Sequence, residues 1–146
     1  MATFISNSPA ETGAIARRVA SSLVAGSVLA LKGELGSGKT LFTQGLVAGL
    51  ESNAAVASPT FTIVHEYQGG RLPVYHFDFF RLETRESAVQ LGLEDYFFSD
   101  GVSVIEWADR FRDLIPKQAH WVSFELKSEH QRIITLFQPG DENACV

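Results

Sequence analysis

Residues Gly33-Glu34-Leu35-Gly36-Ser37-Gly38-Lys39-Thr40 place two fixed glycines, a lysine and a threonine in the spacing G-x-x-x-x-G-K-T. Each fixed position has a physical use. Gly33, Gly36 and Gly38 let the backbone bend so that its N–H groups point inward at phosphate oxygens. Lys39 adds a positive charge that reaches the terminal phosphates, and a helix starting there adds its dipole. The Thr40 hydroxyl can ligate a magnesium ion bridging those phosphates. With the flanking Leu41, the stretch from Gly33 onward is a candidate loop for a nucleoside triphosphate.

Such a site needs a further protein contact for the metal and a group that orients water. In open α/β sheets these sit at the C-terminal ends of strands beside the loop. Two acids fit: Asp78 ends "LPVYHFD" and Glu106 ends "VSVIE". A carboxylate closing an apolar strand is costly to bury without a partner, which invites a metal or water explanation. The competing reading has each acid capping a neighbouring loop or pairing with Arg81 or Arg110. Thr60, in "SPTF", stands where phosphate-loop switches carry a threonine that senses the terminal phosphate, although Ser58-Pro59-Thr60 also reads as a plain turn. His65, His76, His120 and His130 show no metal-ligand spacing, and His76 reads as a satisfied strand residue.

The elements that must position these residues follow from periodicity. Ser8-Pro9 with Glu11 marks a helix start, and Ile15, Val19, Leu23 and Val24 carry helical spacing to about Gly26. "VLAL", Val28 to Leu31, reads as a buried strand before the loop, and an amphipathic helix is predicted from about Lys39 to Leu50. Two strands flank Gly69-Gly70, helical character runs from about Arg85 to Phe98, and "VSVIEW" is a second buried strand. "AHWVSFEL" and "RIITLF" alternate as closing strands. The pattern predicts a single α/β domain with the P-loop nucleotide-binding fold over residues 1–146, its mixed, mostly parallel sheet flanked by helices.

Composition bounds the partners. The chain has 146 residues, 45 % hydrophobic and 20 % charged, enough for one core. A formal charge of −5 gives no general attraction to DNA, RNA or an anionic membrane. The single cysteine, Cys145, forbids an internal disulfide and suits a reducing compartment. No apolar run approaches the ~18 residues of a membrane span, and the N-terminus lacks signal-peptide character. A cytoplasmic location is expected.

"GELGSGKT", "SPTF", "HFDFFR" and "IEW", in this order and over this length, resemble the bacterial TsaE (YjeE) family. The resemblance spans about Glu11 to Pro116. It implies a small ATPase, using ATP and Mg2+, required for threonylcarbamoyladenosine at position 37 of tRNA. The implied partners are TsaD-like and TsaB-like proteins, with tRNA met through their complex, which the small subunit resets between turnovers. Carried over by motif, Gly36 to Thr40 bind phosphate and Thr40 ligates magnesium. Glu106 is implied as the second magnesium-associated carboxylate, and Asp78 as a catalytic or switch residue. Thr60 would belong to a switch-like loop, Trp107 would lie near the nucleotide, and Thr12 would contact it. The family often has D-L-G-A where this chain has Glu34 to Ser37, and tyrosine where it has Phe80. The residues leave two other readings open, a small-molecule kinase and a nucleotide-gated binding module without catalysis. A GTPase is disfavoured, because no N-K-x-D or T-K-x-D segment occurs.

Overall fold

The structure, a computed structural model, describes residues 1–34, 36–54, 56 and 64–141. Seven strands form one sheet in the order β1-β7-β6-β2-β5-β4-β3. The strands are β1 (Ala2–Ser6), β2 (Val28–Gly33), β3 (Val64–Tyr67), β4 (Val74–Asp78), β5 (Val102–Glu106), β6 (His120–Leu126) and β7 (Arg132–Leu136). The expected mixed sheet is parallel through its centre, where β6, β2, β5 and β4 lie side by side, and antiparallel at both margins.

The apolar runs of β2 and β5 are explained by burial on both faces, as central parallel strands require. Leu29 and Leu31 point to one face with Val102 and Val104, under α1 (Pro9–Ala20) and α2 (Lys39–Gly49). Val28, Ala30 and Ile105 point to the other, with Phe77, Phe79, Leu93 and Phe97. That second face is covered by the short helices α3 (Arg85–Val89) and α4 (Leu93–Phe97) and the 3-10 helix Ala108–Leu114.

Two predicted helices come out shorter than their periodicity. Helix α1 stops at Ala20 rather than near Gly26, because the Ser21 and Ser22 hydroxyls donate back to the Arg18 and Val19 carbonyls. The Arg85 to Phe98 stretch divides in two at Gly92, whose φ of +69° is left-handed. Strand β1, which the patterning did not reveal, adds an antiparallel margin to β7. Among the described residues, no helix is long and apolar enough to cross a membrane.

Strand parity decides where the acids go. Alternation puts Val74, His76 and Asp78 of β4 on one face, and Val102, Val104 and Glu106 of β5 on the same one. Asp78 and Glu106 are paired in parallel register, and Leu31 flanks Glu106 from β2. Both carboxylates therefore emerge side by side at the strand ends, next to the turn into α2.

Candidate functional site

The loop leaves β2 at Gly33 and enters α2 through Gly38, whose φ of +107° an L side chain rarely adopts. Gly38 offers no side chain to cap α2, so among the described residues the first-turn amides of Lys39, Thr40 and Leu41 stay available to a ligand. Ser37 Oγ is buried in the loop with no hydrogen-bond partner among the described residues. A helix N-terminus presented together with an orphaned hydroxyl is the arrangement an anion completes.

Lys39 is buried at the head of α2. Its ammonium donates to the Gly33 carbonyl at 2.5 Å and to the Glu34 carbonyl at 3.1 Å. It also lies 3.9 Å above the Trp107 ring. Burial holds its pKa below the usual lysine range, opposed by the nearby carboxylates of Glu106, Asp109 and Asp78. The cation is thus desolvated and held by neutral dipoles, a state that an incoming anion would improve.

The acids occupy different surroundings. Glu106 has both oxygens engaged: His76 Nε2 lies 2.5 Å from Oε2, and the Thr40 hydroxyl donates to Oε1 at 3.4 Å. Asp78 Oδ1 accepts the Phe80 amide at 3.0 Å, capping the 3-10 helix Phe79–Arg81, while Oδ2 lies 3.8 Å from Arg81 Nε. The capping and Arg81 readings of Asp78 are therefore both realised. Arg110 instead donates to the carbonyls of Phe79, Phe80 and Glu83. Burial raises the Asp78 pKa above the ordinary carboxylate value, and Glu106 raises it further, against the Phe80 amide and Arg81.

Trp107 follows Glu106 with φ +57°, a left-handed conformation costly for a tryptophan. That turn brings its ring over Lys39 and within 5.0 Å of the Phe80 ring, which is 58 % exposed. Together these residues line a cleft of about 310 Å³, bounded by Gly36 to Leu41, by Asp78, Phe80 and Arg81, and by Glu106 and Trp107. A wider cleft of about 470 Å³ beside α3 and α4 is lined by Val89, Leu93, Phe97 and Leu114 together with Glu94, Asp95 and Asp113, and among the described residues no lysine or arginine lines it to receive a phosphate.

The structure brings together Gly36, Ser37, Gly38, Lys39, Thr40, Leu41, Asp78, Glu106 and Trp107 from the sequence reading. Gly33 and Glu34 contribute the carbonyls that hold Lys39. Thr12 is buried beside the loop: its methyl lies 3.9 Å from where a Gly38 side chain would begin, and its hydroxyl is bonded to Ser6 Oγ at 2.7 Å. Leu35, Thr60 and Cys145 lie outside the described residues. Arg132 escaped the sequence reading. It reaches over from β7 to donate to the Gly36 carbonyl at 3.3 Å, its side chain 3.3 Å from the Gly38 position. Only sheet pairing brings it there, so no local pattern could have shown it.

The residues fit a magnesium–phosphate group. Thr40 and Glu106 converge at 3.4 Å beside amides and a cation suited to phosphate oxygens. Among the described residues, no cluster of three or more His, Cys, Asp or Glu could hold a metal alone. Magnesium asks for less, since it is usually held by one or two carboxylates together with substrate phosphates.

A central parallel sheet, a glycine loop between β2 and α2, and acids ending the adjacent strands β4 and β5 define the P-loop nucleoside triphosphatase fold. The family model described as threonylcarbamoyl adenosine biosynthesis protein TsaE matches residues 6–134. A tRNA threonylcarbamoyladenosine biosynthesis protein TsaE from Bacillus subtilis is 41 % identical over 91 % of this chain and 83 % of its own length. The protein of that name from Treponema pallidum is 36 % identical over 90 % of this chain and 97 % of its own length. The crystal structure of Bacillus subtilis YdiB superposes with a TM-score of 0.80 at 35 % identity, covering 99 % of this chain and 90 % of that one. The chain belongs to the TsaE family.

Proposed function

We propose that this protein binds Mg–ATP in the cleft at the head of α2 and hydrolyses it to ADP and phosphate. In this reading, turnover supports threonylcarbamoyladenosine formation at position 37 of tRNA by a complex of TsaD-like and TsaB-like proteins in the cytoplasm. The observation that carries the chemistry is the convergence of a buried lysine, a threonine hydroxyl and two buried carboxylates on one cleft. The family and its named relatives carry the biological setting.

The carbonyls of Gly33 and Glu34 stand in for phosphate oxygens at Lys39. On nucleotide binding the ammonium moves from these weak dipoles to the β- and γ-phosphates, where its charge acts most strongly as negative charge shifts in the transition state. The amides at the start of α2 hold the same oxygens. Thr40 and Glu106 would hold magnesium, which neutralises charge on the bridging phosphates when bound. Glu106 has both oxygens engaged by His76 and Thr40, whereas Asp78 keeps Oδ2, 3.8 Å from Arg81 Nε, for a water molecule in the cleft. Its raised pKa suits a group that orients a water molecule and takes its proton as the water oxygen bonds to the γ-phosphorus. The bond from the γ-phosphorus to the bridging oxygen breaks, and ADP leaves.

Reconstituted tRNA modification tests this. With ATP and the TsaD–TsaB complex, adding the protein is expected to give many modified tRNAs per complex, and the Lys39→Ala variant about one. Equal yields with and without the protein would refute the role. Phosphate appearing on a small molecule instead of free in solution would make the protein a kinase.

A further inference from the structure

His76 is fully buried in the middle of β4, two residues before Asp78 and on the same face. A buried imidazole must satisfy both ring nitrogens or bear the cost of an unpaired polar group. Here both are met. Nε2 lies 2.5 Å from Glu106 Oε2, and Nδ1 lies 3.0 Å from the Tyr67 hydroxyl. An ionised carboxylate can only accept, so Nε2 carries a proton and donates to Glu106, while Nδ1 pairs with the Tyr67 hydroxyl. Tyr67 is itself buried on β3, and its hydroxyl lies 3.5 Å from His65 Nδ1. The row Tyr67–His76–Glu106 thus crosses three adjacent strands, β3, β4 and β5, and ends at the cleft.

The row acts on the rotamer of Glu106. With Oε2 held by the imidazole, Oε1 is the oxygen left facing the Thr40 hydroxyl at 3.4 Å. Without that hold, the carboxylate could swing toward Lys39 or present both oxygens at once. Resting on the magnesium–nucleotide reading of the cleft, we infer that His76 is a positioning residue that presents one oxygen of Glu106 to a divalent cation at Thr40, with Tyr67 fixing the orientation of the imidazole ring. Partners of this kind, behind the ligands of a metal, typically govern ~10- to 100-fold of metal affinity.

Two measurements on the full chain test the inference: affinity for a fluorescent ADP analogue in EDTA, and Mn2+ binding to the protein–ADP complex followed by electron paramagnetic resonance. His76→Leu is expected to weaken Mn2+ binding ~10- to 100-fold while leaving the EDTA affinity within about twofold of wild type. His76→Gln, whose amide nitrogen reaches the place of Nε2, is expected to recover most of the loss. Tyr67→Phe, which removes one hydroxyl, is expected to weaken Mn2+ binding several-fold. If His76→Leu does not fold, the Gln and Phe variants carry the comparison. Wild-type Mn2+ binding in the Leu or Phe variant would overturn the inference. So would equal losses with and without metal, which would indicate a structural role. If wild-type protein binds the analogue with no gain from metal, the magnesium reading falls and this inference falls with it. A wild-type gain with unchanged variants removes the inference alone.

Discussion

Asp78 shows the tension between folding and chemistry at a single residue. Its carboxyl is buried beside Glu106, and burial first, then that neighbour, raise its pKa. The fold therefore favours the protonated acid. The contribution to stability is full below the ordinary carboxylate pKa of about 3.9 and is lost as pH rises through the raised folded value. Asp78→Asn keeps an oxygen for the Phe80 amide and removes the charge. The expected result is a higher melting temperature than wild type at neutral pH without nucleotide, the difference shrinking toward pH 3. Phosphate release by the same variant should fall by ~10²-fold or more, the usual effect of losing a general base. Thermal melts across pH and a phosphate assay check both halves. A variant that is less stable at neutral pH yet fully active would contradict the assignment.

At the scale of elements, the site depends on how closely α1 lies against α2, because α2 carries Lys39 and Thr40. A side chain at Gly45 would begin 2.6 Å from the Gly13 carbonyl oxygen and 2.7 Å from the Ala16 methyl. Gly45→Ala should push the helices apart and cost about 1–3 kcal/mol. Gly13, on the facing helix, has nothing within 4 Å of its missing Cβ. Gly13→Ala should therefore stabilise α1 by about 0.5–1 kcal/mol, or a few degrees in melting temperature for a chain of this size. Opposite shifts from the same substitution on two touching helices would confirm the packing by calorimetry. This asymmetry was not legible in the sequence, where both are glycines in helical patterns. The loop, α2 and the acid-tipped strands were legible because their cues are local: a glycine spacing, a 3.6-residue period, an apolar run ending in a carboxylate. The positions of Arg132 and Tyr67 were not. Arg132 reaches the loop only because β7 pairs with β6, which itself lies beside β2. Tyr67 meets His76 only through β3–β4 pairing. His76 itself read as a satisfied strand residue, which it is, but its satisfaction comes from Glu106.

For the whole molecule, acid sensitivity should come partly from a residue remote from the cleft. His120 begins β6, and burial lowers its pKa, against a hydrogen bond with the Phe137 backbone. The unfolded chain takes up this proton more readily, so stability rises with pH between the lowered folded value and about 6.5 and is lost on acidification through that window. His120→Gln should flatten this part of a denaturation-against-pH profile, and an unchanged slope would count against it. The loop, the head of α2 and the ends of β4 and β5 build one cleft, and the proposed work of that cleft is done on a partner complex. Phosphate release from ATP by the isolated protein, and again with the TsaD–TsaB complex and tRNA, addresses this most directly. Mg2+-dependent release of free phosphate is expected, rising when the complex is present and abolished by Lys39→Ala. Nucleotide bound, but no phosphate released in either condition, would contradict it.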